Sequence, residues 1–382
     1  MLSSSRFKSA MSSQSIQSVL ARHQGEIYAA LRRTVMRVSN AAARLEIADL
    51  QPYYGQIQYH LGWVNADFSP AITHPGKLLR PTLLLLAYEA AGAWGLATET
   101  PDYLHRAMPA AVAVELTHNF TLIHDDIEDG DAERRHRSTL WKLWGIPQAI
   151  NTGDGLFALS RLALWGVVDE GVESGIAARL GEVLDLACLT LSEGQYLDIS
   201  FEGRQDISVA MYIDMISRKT AALMSCAAEM GALLGTRDRE TIERLSNFGH
   251  AIGVAFQVRD DLLGIWASKA ELGKTSAGDI YRRKKSLPIL HALEHAAEQD
   301  QLFLRKIYEQ ETPVTGEQVK AVLAIFSRTR TKDYCRQFLA DQCRLAHEAL
   351  AHVPRSERSA AARALDDLET LIHFMEEQAR EQ

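Results

Sequence analysis

The stretch "HRAMPAAVAVELTHNFTLIHDDIED" (105–129) decides the fold. It is apolar on nearly every helical face until it reaches its carboxylates, and a helix of that kind is buried in the middle of a bundle. Its last turn brings Asp125 and Asp129, four residues apart, and Asp126, three before Asp129, onto one face. Like charges at that spacing cost a helix a few tenths of a kcal/mol per pair. At the end of a buried helix, desolvation adds to that cost. Something positive must offset it, and magnesium suits, because it takes hard oxygen ligands and shares them with substrate phosphates.

A second cluster follows the apolar run "FGHAIGVAFQV": Asp260 and Asp261, three and four residues after Gln257. Taken alone, either cluster reads equally well as a solvated acidic helix end. Two of them, each behind an apolar run, read better as helix ends facing one another across a cavity in a helical bundle.

The rest of the chain agrees with helices. Of 382 residues, 47% are hydrophobic, enough for a sizeable core, and only ten are proline. Apolar residues recur at helical spacing in 26–38 and 80–95, and further helices are expected at about 148–170, 175–202, 208–235, 238–267 and 284–298. Segments 202–206, 235–238 and 311–317 read as turns, and no alternating strand pattern or fixed repeat occurs. The fold class expected is all-α, one domain over 21–382, preceded by a flexible extension over 1–20. Residues 1–25 are serine-rich, with Arg6, Lys8 and Arg22 and no acidic residue. A transit peptide could look like this but would carry a stronger arginine repeat, so a disordered tail is the expectation.

The net charge of −8 argues against nucleic acid as the partner, so any anion site must be a local basic cluster. Cys188, Cys226, Cys335 and Cys343 lack metal-ligand or redox spacing and are expected as buried free thiols in a reducing, cytoplasmic setting. No apolar run is long enough for an integral membrane segment.

These residues resemble the trans-isoprenyl diphosphate synthases (polyprenyl synthetases), from about residue 70 to 295. The family's DDxxD followed by an arginine pair is similar to Asp125-Asp126-Ile127-Glu128-Asp129 with Arg134-Arg135, and its upstream GKxxRP to Gly76, Lys77, Arg80 and Pro81. His118 stands seven residues before the first Asp, where relatives place a diphosphate-contacting His or Gln. Gln195 and Asp198 match a mid-chain Gln-x-x-Asp, Lys219-Thr220 a Lys-Thr pair, and Lys274 and Lys284 the lysines after the second motif. Two positions depart from the pattern. The second motif usually ends in a third Asp, where this chain has Gly264, and Gln378 stands where relatives often have an arginine.

The resemblance implies an isoprenoid-synthase bundle of roughly 10–14 helices around a deep apolar central cavity. It implies magnesium held by Asp125, Asp129 and Asp260, with Asp126 and Asp261 beside them, three ions per site, and manganese able to substitute. Arg134, Lys219, Thr220, Gln257, Lys274 and Lys284 would contact an allylic diphosphate (dimethylallyl, geranyl or farnesyl). Lys77, Arg80, His118 and Arg135 would bind isopentenyl diphosphate, which does not ionise and needs no metal. As a surface pair in a helix's first turn, Lys77 and Arg80 would oppose the helix dipole, a conflict that bound phosphate removes. The segment "YRRKKS" (281–286), read alone as a nucleic-acid patch, fits diphosphate better after an acidic motif.

Product length rests on Phe120, five positions before Asp125 and roughly 7–8 Å deeper at helical rise. With small Thr117 and Thr121 beside it, Phe120 resembles the pocket floor of geranylgeranyl diphosphate (C20) synthases, and it reads equally well as ordinary core. A farnesyl or longer-chain synthase is the near alternative. A class I terpene cyclase would not need Lys77, Arg80 and His118, and a silent subunit of a heteromeric synthase would have lost the first motif or the arginine pair. The small, apolar stretch 148–171 suits a homodimer contact and suits internal core nearly as well.

Overall fold

The computed structural model describes residues 16–42, 49–71, 76–96, 101–267, 277–355 and 359–381. The expected extension falls partly outside them, at residues 1–15. Residues 16–20 are helical, and Ile16 and Val19 are buried, so apolar packing draws the chain into the bundle before residue 21.

The architecture is all-α and a single domain, as expected. Its longer helices are α1 (Gln24–Ala42), α2 (Gln51–His60), α3 (Leu79–Ala90), α4 (Met108–Glu128), α5 (Ile146–Asp169), α6 (Ser174–Glu202) and α7 (Val209–Ile216). They continue with α8 (Ala222–Gly235), α9 (Arg239–Trp266), α10 (Leu287–His295), α11 (Glu298–Glu309), α12 (Gly316–Arg328), α13 (Thr331–Ala351) and α14 (Ser359–Glu381). The helix that decides the fold, α4, is buried all round from Ala110 to Thr117. It packs along α5 on one side and on α3 on another, and α8 sits between α3 and α9. The outer helices bury one stripe each: in α12, Val319, Val322, Ile325 and Phe326 turn inward at the 3.6-residue period.

Local chemistry sets the ends. Asp238 caps α9 by accepting from the Thr241 amide at 2.9 Å, and Thr315 and Gln318 form a capping box on α12. Helix α3 stops at Ala90 rather than near residue 95, because Gly92 takes a φ of 104° and a 3-10 turn follows. The helix expected at 208–235 is broken by a π-helical turn, Ser217–Ala221.

One element was not legible as a strand. Glu133–Arg134 pairs antiparallel with Arg137–Ser138, joined by Arg135 and His136 at φ 53° and 61°. A two-residue turn with both φ positive is the usual hairpin link, though asparagine and glycine normally supply it. Here the hairpin is held from outside. Arg137 donates to the Tyr59 and Val64 carbonyls at 2.9 and 2.6 Å, and the Tyr59 hydroxyl donates to the Ser138 carbonyl at 2.8 Å.

Candidate active site

A cavity of about 1200 Å³ lies between α3, α4, α8, α9 and the hairpin. That is larger than the ~300–1,000 Å³ typical of a single small-molecule pocket. Leu122, Leu191, Leu223, Met224 and Phe256 give it apolar walls, and charged side chains gather along its lining.

Asp125, Asp126 and Asp260 line the cavity, so the ends of α4 and α9 do meet across it. Burial pushes the Asp125 carboxyl up to about 6, against the pull of Lys219, and neighbouring Asp129 raises it further. Burial likewise takes Asp126 to about 6, although the Arg134 Nε donates to its Oδ1 at 2.6 Å. Asp260 is also raised, chiefly by desolvation, with Arg259 at 3.3 Å opposing. Asp129 follows α4 as its C-cap, is exposed and is not part of the lining. Carboxylates held at this desolvation cost, offering hard oxygen donors beside fixed cations, fit a divalent magnesium-type ion.

The second acidic helix end is organised differently from the first. Asp261 is only 1% exposed and does not line the cavity. It accepts from the Tyr212 hydroxyl at 2.6 Å, Gln257 Nε2 at 3.2 Å and the Leu287 amide at 3.3 Å. Its oxygens are thus engaged in holding α9 against α7 and α10, which makes it a positioning residue in this structure. Gln257 links that network onward, accepting from Thr220 Oγ1 at 3.1 Å.

Gly264 has a physical explanation. A Cβ there would lie 2.2 Å from Oδ2 of Asp279, so a carboxylate from a later segment occupies the space a side chain at 264 would need. Asp279 is buried and accepts from Arg282 Nη2 at 2.7 Å. The space of a third acidic side chain at the end of the second motif is therefore taken by Asp279, from another stretch of chain and outside the cavity lining.

Lys77, Arg80, His118 and Arg135 line the same cavity, within electrostatic reach of Asp125 and Asp260. The Arg80 Nη1 donates to His118 Nε2 at 3.0 Å. Burial and the surrounding arginines hold the His118 ring well below the usual histidine range, so it is neutral and free to accept. The Arg80 Nε is buried without a hydrogen-bond partner, as is His60 Nε2 nearby. Orphaned polar groups lining a cavity call for a polar ligand.

Lys219 and Thr220 are placed by the π turn, a deviation that often marks functional sites. Gly194 on α6 makes the turn possible: a Cβ there would lie 2.3 Å from the Lys219 backbone nitrogen. This close approach sets Asp198 against Lys219, whose Nζ donates to it at 2.5 Å, and one turn away Gln195 donates to Glu128 at 2.7 Å.

Of the remaining expectations, Thr121 lines the cavity, whereas Thr117 and Phe120 do not. Thr117 is fully buried, and Phe120 packs edge-on against Phe157 of α5 and His124. Lys284 stands 4.0 Å from Asp261, outside the lining. Lys274 and the side chain of Gln378 lie outside the described residues. Sequence reading missed His60, Glu115 and Arg137, which all line the cavity. His60 and Arg137 carry no local signal, because the hairpin and the end of α2 meet only in the fold. Glu115 had one: a lone carboxylate in an apolar helix, buried enough to be pushed up to about 7.

With two acidic helix ends and a basic wall around one apolar cavity, comparison with known proteins is decisive. The chain belongs to the polyprenyl synthetase family, whose model matches residues 62–326, and it is a prenyltransferase. A geranylgeranyl diphosphate synthase of Mycobacterium tuberculosis is 39% identical over 318 residues, 83% of this chain and 86% of that protein. A (2E,6E)-farnesyl diphosphate synthase of the same organism is 41% identical over 239 residues, 63% of each chain. The crystal structure of a polyprenyl synthetase from Streptomyces coelicolor A3(2) superposes with a TM-score of 0.80 at 34% identity, covering 94% of this chain and 99% of that one. Enzymes of this family are generally magnesium-dependent, in keeping with the donor set above.

Proposed function

We propose that this protein joins isopentenyl diphosphate head to tail to an allylic diphosphate (dimethylallyl, geranyl or farnesyl), releasing geranylgeranyl diphosphate (C20). One observation supports the reading: a single cavity is lined by Lys77, Arg80, His118, Arg134, Arg135 and Lys219, more cationic and donor groups than one diphosphate needs. We divide them into an isopentenyl set (Lys77, Arg80, His118, Arg135) and an allylic set (Arg134, Lys219). A cyclase acting on one diphosphate needs only one set.

In this reading Arg134 and Lys219 bind the allylic diphosphate, with Thr220, Gln257 and Lys274 in support, while Lys284 stays beside Asp261 outside the lining. Arg134's planar fork suits phosphate oxygens. Lys77, Arg80, His118 and Arg135 fix the isopentenyl diphosphate. The allylic carbon–oxygen bond breaks, its electron pair leaving on diphosphate. The isopentenyl double bond supplies the pair for the new carbon–carbon bond, and the proton lost from that unit goes to the released diphosphate. Leu122, Leu191, Leu223, Met224 and Phe256 keep water from the cationic carbon. Asp125, Asp129 and Asp260 would hold magnesium, three ions per site with manganese able to substitute, which as a Lewis acid supplies stabilisation of the leaving diphosphate. Asp126 and Asp261 orient Arg134 and Gln257.

The 39% identity to a geranylgeranyl diphosphate synthase supports the C20 product, and the 41% identity to a farnesyl diphosphate synthase keeps C15 as the second reading. Thr121 is the one of the three expected floor residues that lines the cavity, and Phe120, packed against Phe157, would limit product length only by blocking extension of the cavity toward α5. Phe120→Ala is expected to lengthen the product, and unchanged length by mass analysis would remove Phe120 from that role. We place the enzyme in the cytoplasm, consistent with four buried free cysteines. No described helix is long and apolar enough to cross a membrane.

A homodimer is the proposed assembly. Helix α5 buries one face on α4, while Ile150, Phe157 and Trp165 remain 42%, 39% and 53% exposed. Leu186, Leu189 and Tyr196 of α6 are also exposed, and a second copy is the natural cover for so much apolar surface.

Steady-state kinetics of Arg80→Ala and Lys219→Ala test the two-site assignment. Arg80→Ala should raise KM for isopentenyl diphosphate, and Lys219→Ala should impair use of the allylic partner. If both changes fell on the same substrate, the assignment would be wrong.

A further inference from the structure

We propose that His347 of α13 and His373 and Glu376 of α14 form a second metal site, chemically distinct from the aspartate-rich one and suited to a zinc-class transition ion. Among the described residues, these three side chains bring their ligand atoms within 4.8 Å of one another. His347 Nε2 lies 3.3 Å from Glu376 Oε1, and His373 Nδ1 lies 3.5 Å from Glu376 Oε2. Ligands about 2.0–2.1 Å from a tetrahedral zinc stand about 3.3 Å apart. Each histidine is near that distance from one oxygen of Glu376, and an ion would draw the three ligand atoms together from their present 4.8 Å limit.

Glu369 strengthens the case. Its Oε2 lies 2.8 Å from His347 Nδ1, which places a hydrogen-bond acceptor at that nitrogen and leaves Nε2, facing Glu376, as the atom that would bind metal. A carboxylate behind a ligating histidine is the usual outer support of such sites. Two imidazoles with one carboxylate favour zinc, copper or nickel over magnesium, which prefers all-oxygen shells. Three protein ligands leave a fourth position for water.

The site is partly solvent-exposed, with His347 at 33% and His373 at 62%, and it joins the last two helices of the described chain. Helix α14 packs on α3 and α9. Phe374, between two of the proposed ligands, lies 4.9 Å under the Arg259 guanidinium, and Arg259 pairs with Asp260. An ion here would clamp α14 to α13 beside a residue of the acidic cavity. The role assigned is structural, and it does not depend on which prenyl product is made.

The test is zinc titration of the full chain by calorimetry near neutral pH, with saturating magnesium to occupy the aspartate-rich cavity. One tight zinc equivalent per chain is expected, together with a zinc-dependent rise in thermal midpoint. His347→Ala/His373→Ala should lose both effects while keeping the wild-type midpoint in chelator. Glu369→Gln should keep the equivalent with affinity weakened about 10–100-fold. Should the double variant not fold, Glu376→Gln, similar in size, should lose at least tenfold in affinity. No zinc uptake by the wild type, or uptake unchanged in these variants, overturns the proposal and leaves the four residues as an ion-pair network only.

Discussion

Asp125 and Asp126 bear much of the electrostatic cost of the site. Each is moved by burial from an ordinary 3.8 to about 6. A carboxyl with a raised folded-state pKa binds more protons folded than unfolded between those values, so stability falls as pH rises from about 3.8 to about 6. A bound divalent ion acts in the opposite sense, because it needs the ionised forms. Magnesium should therefore raise the thermal midpoint strongly near pH 7.5 and little near pH 5; equal shifts at both would contradict the assignment. On the basic wall, His118→Leu removes the acceptor of Arg80 and should raise KM for isopentenyl diphosphate roughly tenfold, about 1.4 kcal/mol, with a smaller effect on kcat. At Gly264, Gly264→Asp should destabilise by about 2 kcal/mol or more, because Asp279 fills the space and a second buried carboxylate joins it. Adding Asp279→Gly should recover part of that loss, and denaturation midpoints of the singles and the double give the coupling. A sequence scan registers position 264 as a missing ligand. Only the fold reveals that another carboxylate has taken the space.

At the scale of elements, the long helices were legible because burial leaves a periodic trace, and α4, α6 and α9 fall close to their expected bounds. The π turn at Ser217–Ala221 was not, since the run that follows, Ala222–Gly235, is buried on nearly every face and the phase shift of one extra residue leaves no trace in it. What accommodates the turn lies on another helix, where Gly194 leaves room for the Lys219 backbone. Gly194→Ala should push α6 from Lys219, costing about 1–3 kcal/mol in stability and at least tenfold in kcat. Equal loss of stability with kcat intact would show the turn to be structural only. The hairpin at 133–138 was likewise hidden. Its strands are two residues each, and its turn lacks glycine, so the signals that mark hairpins are absent from the sequence.

For the whole molecule, the order of motifs along the chain carried the family and the elongation chemistry, because Lys77, Arg80, His118, Asp125, Arg134, Lys219 and Asp260 converge on one cavity as their spacing implied. What spacing could not give was the division of labour. Asp261 and Gln257 hold neighbouring helices in register, while His60 and Glu115 join the basic wall from positions that match no motif. Nor could it show the exposed apolar face of α5 and α6, since a helix buried on both sides and a helix covered by a second copy have the same composition. Sedimentation should give twice the chain mass, and Leu189→Asp should shift the protein toward monomer. Elongation within one two-substrate cavity is tested by product sizing after incubation with isopentenyl diphosphate and each allylic starter, with and without magnesium. A magnesium-dependent linear C20 diphosphate that requires both substrates is the predicted result. A cyclic hydrocarbon formed from an allylic diphosphate alone, or no condensation with any starter, would contradict it.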